Sequence, residues 1–256
     1  MSVRAKTQEE IELMKEAGRI LAITHEELRK ALKPGMTTLD IDRLGEQIIR
    51  DFGCIPSFLN YNGYPASICV SVNDEVVHGI PNDKRIIQEG DLVSLDAGVI
   101  YKGYHSDAAR SYVAGGGNEE AQHLIDVTKQ SFFEGIKFAK PGYRIRDIAK
   151  GIQRYAESQG CSVVRDLVGH GIGSALHEEP EVPNFVRRFR KGAKLIPGMT
   201  LAIEPMINQG EYDVVLLDDD WTVATYDGCL SAHYENTILI TEGEPIILSQ
   251  ADNIEL

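Results

Sequence analysis

Asp96 and Asp107 stand eleven residues apart in LVSLDAGVIYKGYHSDAARSYV, and that spacing can do chemistry. Residues 92–101 and 104–113 are rich in β-branched and aromatic residues. Lys102-Gly103 between them predicts a two-residue hairpin turn, with glycine supplying a φ > 0 position. Tyr101 then faces Tyr104 and Gly98 faces Asp107. Asp96, two residues along the same strand, therefore shares a face with Asp107. Residues on that diagonal have Cα atoms roughly 7–8 Å apart. Carboxylates at that reach repel unless one is protonated or a cation lies between them. A three-residue loop would send Asp107 to the opposite face, so the expectation depends on the turn. Two solvated acids on an outer face are the ordinary alternative, but SLDAGVI is apolar on both sides of Asp96, as in a strand covered on both faces.

The elements that must position this pair recur along the chain. LKPGMTTLDI, with Pro34-Gly35 and Asp40-Ile41, is echoed by AKPGYRIRDI, with Pro141-Gly142 and Asp147-Ile148, at a displacement of 107. Gly53-Cys54 returns as Gly160-Cys161, and Gly90 with the strand to Asp96 returns as Gly198 with the strand to Glu204. A near-constant offset at three places predicts an internal pseudo-repeat, roughly 8–114 and 115–250, and the chain of residues 1–256 is expected to form a single domain. Each half carries a helix before its Pro-Gly turn, a helix after it, and strands that end the unit. Thr7 with Glu10 forms a capping box, and Ile11, Met14, Ile20, Leu21 and Leu28 recur at helical spacing over 8–32. Residues 119–138 read as the corresponding helix.

If the halves pack about a pseudo-twofold axis, Asp96 and Glu204 meet near the centre. His170 in LVGHGIG and Glu235 in SAHYENTILIT are two further candidates. Asp96, Asp107, His170, Glu204 and Glu235 make an oxygen-rich set that suits two Mn, Fe, Co or Zn ions and not a tetrahedral structural zinc. Bridging carboxylates hold such ions about 3.5–4 Å apart, close enough to share a hydroxide. The implied chemistry is hydrolysis.

Composition excludes other classes. With 26 basic against 39 acidic residues the net charge is −13, unfavourable for gripping DNA or an anionic membrane. Cys54, Cys69, Cys161 and Cys229 form no CxxC, so neither a zinc knuckle nor a disulfide framework is expected. The N-terminal residues read as neither a signal peptide nor a membrane span, and a cytoplasmic location is expected.

SVNDEVVHGIP, LDAG followed by YHSDAAR, GHGIGSALHEEPEVPN, GMTLAIEPMI and SAHYENT, in this order and spacing, resemble the type I methionine aminopeptidases over nearly the whole chain. The resemblance implies an α+β pita-bread fold, in which two related halves surround a central antiparallel-rich sheet and enclose a dinuclear metal site. It implies that the five residues above are the metal ligands. His78 and His177 match substrate-contacting histidines, and Tyr61, Tyr64, Cys69 and Trp221 match positions around the methionine side chain. The interval from His177 to Glu204 lacks the helical insertion of type II enzymes, and the chain lacks the N-terminal zinc-binding extension of some relatives. A monovalent-cation site near Asn73 and Ser231 is implied as well.

The implied activity is removal of the initiator methionine from nascent chains when the second residue is small. Glu204 would move the proton of the attacking water to the leaving amine, His177 would serve the oxyanion, and His78 would orient the scissile nitrogen. A proline-specific aminopeptidase and an inactive pita-bread binding module are the alternatives. The sequence departs from its relatives at Leu176, often aromatic, and at His233 and Asn236, where SAQYEHT is common. His25, His105 and His123 read as structural. The basic cluster Arg187, Arg188, Phe189, Arg190, Lys191 reads first as a solvated loop and second as a ribosomal contact. A monomer is expected, and the start Met1-Ser2 itself fits the substrate rule, predicting a mature N-terminus at Ser2.

Overall fold

The computed structural model describes residues 3–252 and 254; Met1-Ser2, and with it the expected processing of that bond, lies outside the described residues. Four helices, α1 (Gln8–Ala31), α2 (Thr38–Asp51), α3 (Glu119–Ile136) and α4 (Ile145–Ser158), flank antiparallel sheets, so the chain is α+β as expected. Strands Leu92–Tyr101 and Tyr104–Val113 form the expected hairpin. Tyr101 pairs with Tyr104 and Gly98 with Asp107, and Lys102 (φ 47°) and Gly103 (φ 84°) make the two-residue turn.

Parity divides this hairpin between core and chemistry. Val93, Leu95, Ala97, Val99 and Ala108 enter a hydrophobic cluster with Ile20, Leu21, Leu28 and Ile41 of α1 and α2. Asp96 and Asp107 face the other way. A clamp from α1 holds the turn: Tyr104 Oη donates to Glu10 Oε1 at 2.8 Å, while Glu10 also closes the capping box with Thr7.

The second half has its own core, where Phe132, Ile148 and Ile152 of α3 and α4 pack on Leu201, Ile203 and Ile238. Those strand residues belong to a five-stranded sheet ordered Ile246–Ile247, Asn236–Leu239, Thr200–Ile203, Gly169–Gly171, Glu178–Val182. Corresponding points in the two halves are built alike. Gly35 and Gly142 have φ of 91° and 93°, and Gly90 and Gly198 have φ of 84° and 86°. Asp40 and Asp147 each accept from the backbone N–H three residues earlier, at 2.9 Å. Isolated bridges join Thr37 to Ile86 and Arg144 to Lys194.

The halves are stitched at the hairpin. Glu235 N donates to Ala109 O at 3.0 Å, and Thr237 Oγ1 both accepts from Asp107 N and donates to Asp107 O at 2.9 Å. This seam sets Glu235 beside Asp107. No helix among the described residues is long and apolar enough to cross a membrane.

Candidate metal centre

Each acid reaches the centre from a different strand or strand end. Asp96 and Asp107 come from the hairpin, Glu204 follows Thr200–Ile203, and Glu235 precedes Asn236–Leu239. His170 lies mid-strand opposite Ala202, which aligns it with the strand that ends at Glu204. Gly169 permits that pairing, because a Cβ there would collide with the Ala202 carbonyl oxygen and crowd Glu204 Cγ.

Ligand atoms of Asp107, His170 and Glu235 all lie within 4.8 Å of one another. His170 Nε2 is 3.6 Å from Glu204 Oε1. Asp96 Oδ1, Asp107 Oδ1 and Glu235 Oε1 are buried without any hydrogen-bond partner. Burial raises Asp96 from 3.8 to about 7. Burial, and then repulsion among the acids, pushes Asp107, Glu204 and Glu235 well above the usual carboxylate range. Asp96 is half-buried, yet what it is open to is a narrow cleft and not bulk water. The group can become fully ionised only if cations neutralise it.

The imidazole is prepared for the same task. His170 Nδ1 donates to Gly171 O at 2.9 Å, leaving the Nε2 lone pair aimed at the acids. Burial, with His177 adding to it, lowers His170 to about 3, so the ring stays neutral and available as a donor. Unpaired carboxylate oxygens around a neutral imidazole fit divalent ions of the Mn, Fe, Co and Zn type.

Over this cluster lies a cleft of ≈ 260 Å³ that brings together all four acids and the His170 imidazole with His78, His177, Tyr61, Tyr64, Cys69 and Trp221. The Tyr64 and Trp221 rings meet edge to face at 5.1 Å, and Trp221 meets His78 at 6.4 Å. His177 stands exposed at the mouth, stacked on Tyr61 at 5.3 Å, with Tyr61 Oη 2.7 Å from its Nδ1. With that hydroxyl as donor, His177 Nε2 carries the proton and points its N–H away from Tyr61. Burial lowers His78 to about 4, with His177 a smaller cause, and lowers His177 as well, so both act as neutral donors. His78 holds φ 59°, a strained conformation of the kind that concentrates at functional sites. A larger groove of ≈ 570 Å³ lies behind the hairpin near Arg110 and Tyr234, but it gathers no comparable set of acids and imidazoles, and chemistry decides between the two.

Several site residues were not singled out from the sequence. Phe58 and Asn62 line the cleft beside the Leu176 already noted, Asn184 Nδ2 holds Glu204 O at 2.9 Å, and Arg110 donates to Glu235 O and to Asn236 Oδ1. These contacts span up to 126 residues and carry no local signal. His25 and His105 are structural as expected: His25 Nε2 lies 2.8 Å from Ala108 O, and His105 Nδ1 lies 3.0 Å from Ser57 Oγ.

The sequence profile described as metallopeptidase family M24 matches residues 12–242. The chain belongs to that family. A methionine aminopeptidase of Clostridium acetobutylicum is 54% identical over 95% of this chain and 97% of its own length. The crystal structure of a methionine aminopeptidase from Thermotoga maritima superposes with a TM-score of 0.94 at 44% identity, covering 97% of this chain and all of that one. A prolidase from Pyrococcus furiosus gives 0.75 at 22% identity and covers 66% of that chain, a likeness of fold alone. The fold is the expected pita-bread fold, and the M24 chain is a metallopeptidase with a candidate metal-binding group.

Proposed function

We propose that the chain is a type I methionine aminopeptidase that removes the initiator methionine from nascent polypeptides with a small second residue. The reading has it working in the cytoplasm as a monomer and as one catalytic domain built from a duplicated half. Supporting it above all is the convergence of four acids and a neutral imidazole, three of the acids with buried unpaired oxygens, beneath an aromatic cleft. The relatives at high identity do not favour a proline-specific peptidase or an inactive module.

In this reading Asp96, Asp107, His170, Glu204 and Glu235 hold two divalent ions. When bound, such ions supply Lewis acidity, lowering the pKa of water toward about 7 and polarising the scissile carbonyl. The protein does the rest. Glu204 takes the proton released by the attacking water and delivers it to the leaving amine. His177 donates its Nε2–H to the developing oxyanion from the cleft mouth. His78 orients the scissile nitrogen, and Tyr61, Tyr64, Cys69 and Trp221 receive the methionine side chain, where sulfur–aromatic contacts are favourable.

Asn73 and Ser231, joined by Ser231 N donating to Asn73 O at 2.9 Å, are the proposed neighbours of a monovalent cation. The 187–191 cluster is the proposed ribosome contact, tested by salt-sensitive pelleting with its arginines replaced. The activity itself is tested with peptides. Metal-loaded protein is expected to release Met from Met-Gly-Met and to leave Ala-Pro peptides intact, and Glu204→Ala to abolish turnover; the reverse preference would refute the assignment.

A further inference from the structure

His233 stands beneath the proposed metal centre with no role yet. The residue is 1% exposed, and neither Nδ1 nor Nε2 has a hydrogen-bond partner. Nε2 lies 4.0 Å from Glu204 Oε2, on the side of the carboxylate opposite His170, which approaches Oε1 at 3.6 Å. Glu204 thus has one imidazole near each of its carboxylate oxygens.

The backbone of His233 is fixed from two sides. It pairs with Met206, two residues beyond Glu204, and Ser111 Oγ accepts from His233 N at 3.0 Å while donating to His233 O at 2.9 Å. The acidic hairpin therefore sets the height of the ring beneath Glu204. A neutral imidazole carries one N–H and one lone pair, and a carboxylate can only accept. Of the two tautomers, the one with the proton on Nε2 faces Glu204 Oε2 with a donor.

We propose that His233 is a positioning residue whose Nε2–H donates to Glu204 Oε2 and fixes how that carboxylate presents its oxygens. The gap closes by about 1 Å to reach hydrogen-bond range, a motion within the torsional freedom of one glutamate side chain. His233 then holds one oxygen of the carboxylate and leaves the other, 3.6 Å from the His170 Nε2 lone pair, free to ligate or carry a proton. The inference rests on the reading of Glu204 as ligand and proton carrier, and its test separates the two.

The variants are His233→Gln, which keeps an N–H donor, and His233→Leu and His233→Met, which have none. Titrating metal-free protein with Mn²⁺ in a calorimeter reads affinity without turnover, and Met-Gly-Met cleavage reads kcat and KM. Leucine or methionine is expected to weaken Mn²⁺ binding about 10- to 100-fold, the usual cost of losing a residue that orients a ligand. A similar drop in kcat is expected with KM little changed, and glutamine is expected to restore both to within a few-fold of wild type. Imidazole ¹⁵N spectra of the unmutated protein are expected to show His233 protonated at Nε2, a readout independent of how the variants fold. A proton on Nδ1, unchanged Mn²⁺ affinity and kcat in the donorless variants, or a glutamine variant as impaired as leucine would each overturn the proposal. Glu204→Ala runs alongside. If it weakens Mn²⁺ binding and the donorless variants do not, only the role of His233 fails; if it too leaves binding unchanged, the reading of Glu204 as a ligand fails.

Discussion

Replacing Asp96 by Asn separates what the acid cluster costs the fold from what it gives the site. In the metal-free protein burial raises Asp96 from 3.8 to about 7. At about 1.4 kcal/mol per tenfold change in proton affinity, the fold loses about 4 kcal/mol by ionising this one side chain. The sign follows from the direction. A carboxyl whose folded pKa is raised contributes full stability below pH 3.8, and that contribution is lost as pH rises to about 7. Asn carries no such charge. Metal-free Asp96→Asn should match wild type near pH 4 and exceed it increasingly up to pH 8.

At about 2–4 °C per kcal/mol for a domain of this size, the gap at pH 8 is about 10 °C in Tm. Comparing two proteins at each pH cancels the opposite trend from His25 and His170, both lowered by burial to about 3 and present in both chains. The assay is scanning calorimetry in chelator from pH 4 to 8, repeated with saturating Mn²⁺. Under Mn²⁺ the order should invert, because wild type keeps a ligand that the variant lacks and gains stability by mass action. A variant less stable than wild type at pH 8 in chelator, or a gap that does not change with pH, would refute the view that these acids are strained without a cation.

Three further outcomes follow from particular contacts. Gly169→Ala forces a Cβ against Ala202 O and should push the His170 strand away from Glu204, cutting activity at least 100-fold and stability by about 1–3 kcal/mol; normal turnover would contradict the packing. Tyr61→Phe removes the hydroxyl 2.7 Å from His177 Nδ1 and should lower kcat about 10-fold, with KM and Tm nearly unchanged because both groups stand at the cleft mouth. Phe132→Ala empties a fully buried position packed edge to face on Tyr234 at 5.4 Å, and should cost about 3–5 kcal/mol in denaturant unfolding while kcat at low temperature stays intact.

Where local rules reach the centre, the site is legible in the chain itself. Parity across a two-residue turn set Asp96 and Asp107 on one face because glycine chemistry at Lys102-Gly103 constrains the register, and the structure has that register residue for residue. Glu204 was reachable through the repeat, since Gly90 and Gly198 turn into their strands with nearly the same φ. Other partnerships are settled by packing between halves, where sequence distance carries no information. The Tyr61–His177 contact spans 116 residues and the Arg110–Asn236 contact spans 126. His233 falls between these cases. His233 ends the strand Ser231–His233 and Glu235 precedes Asn236–Leu239 in another sheet, so only their closeness in sequence hinted that both approach the centre. What that closeness could not give is the depth of the ring. That depth is set by Ser111, a residue of the acidic hairpin, which clips the His233 backbone at both its N–H and its carbonyl. One hairpin thus contributes two acids directly and sets the position of a third, Glu235, and of the imidazole near Glu204, by gripping their backbone. For that reason a change in its turn should disturb the whole centre and not only Asp96 and Asp107.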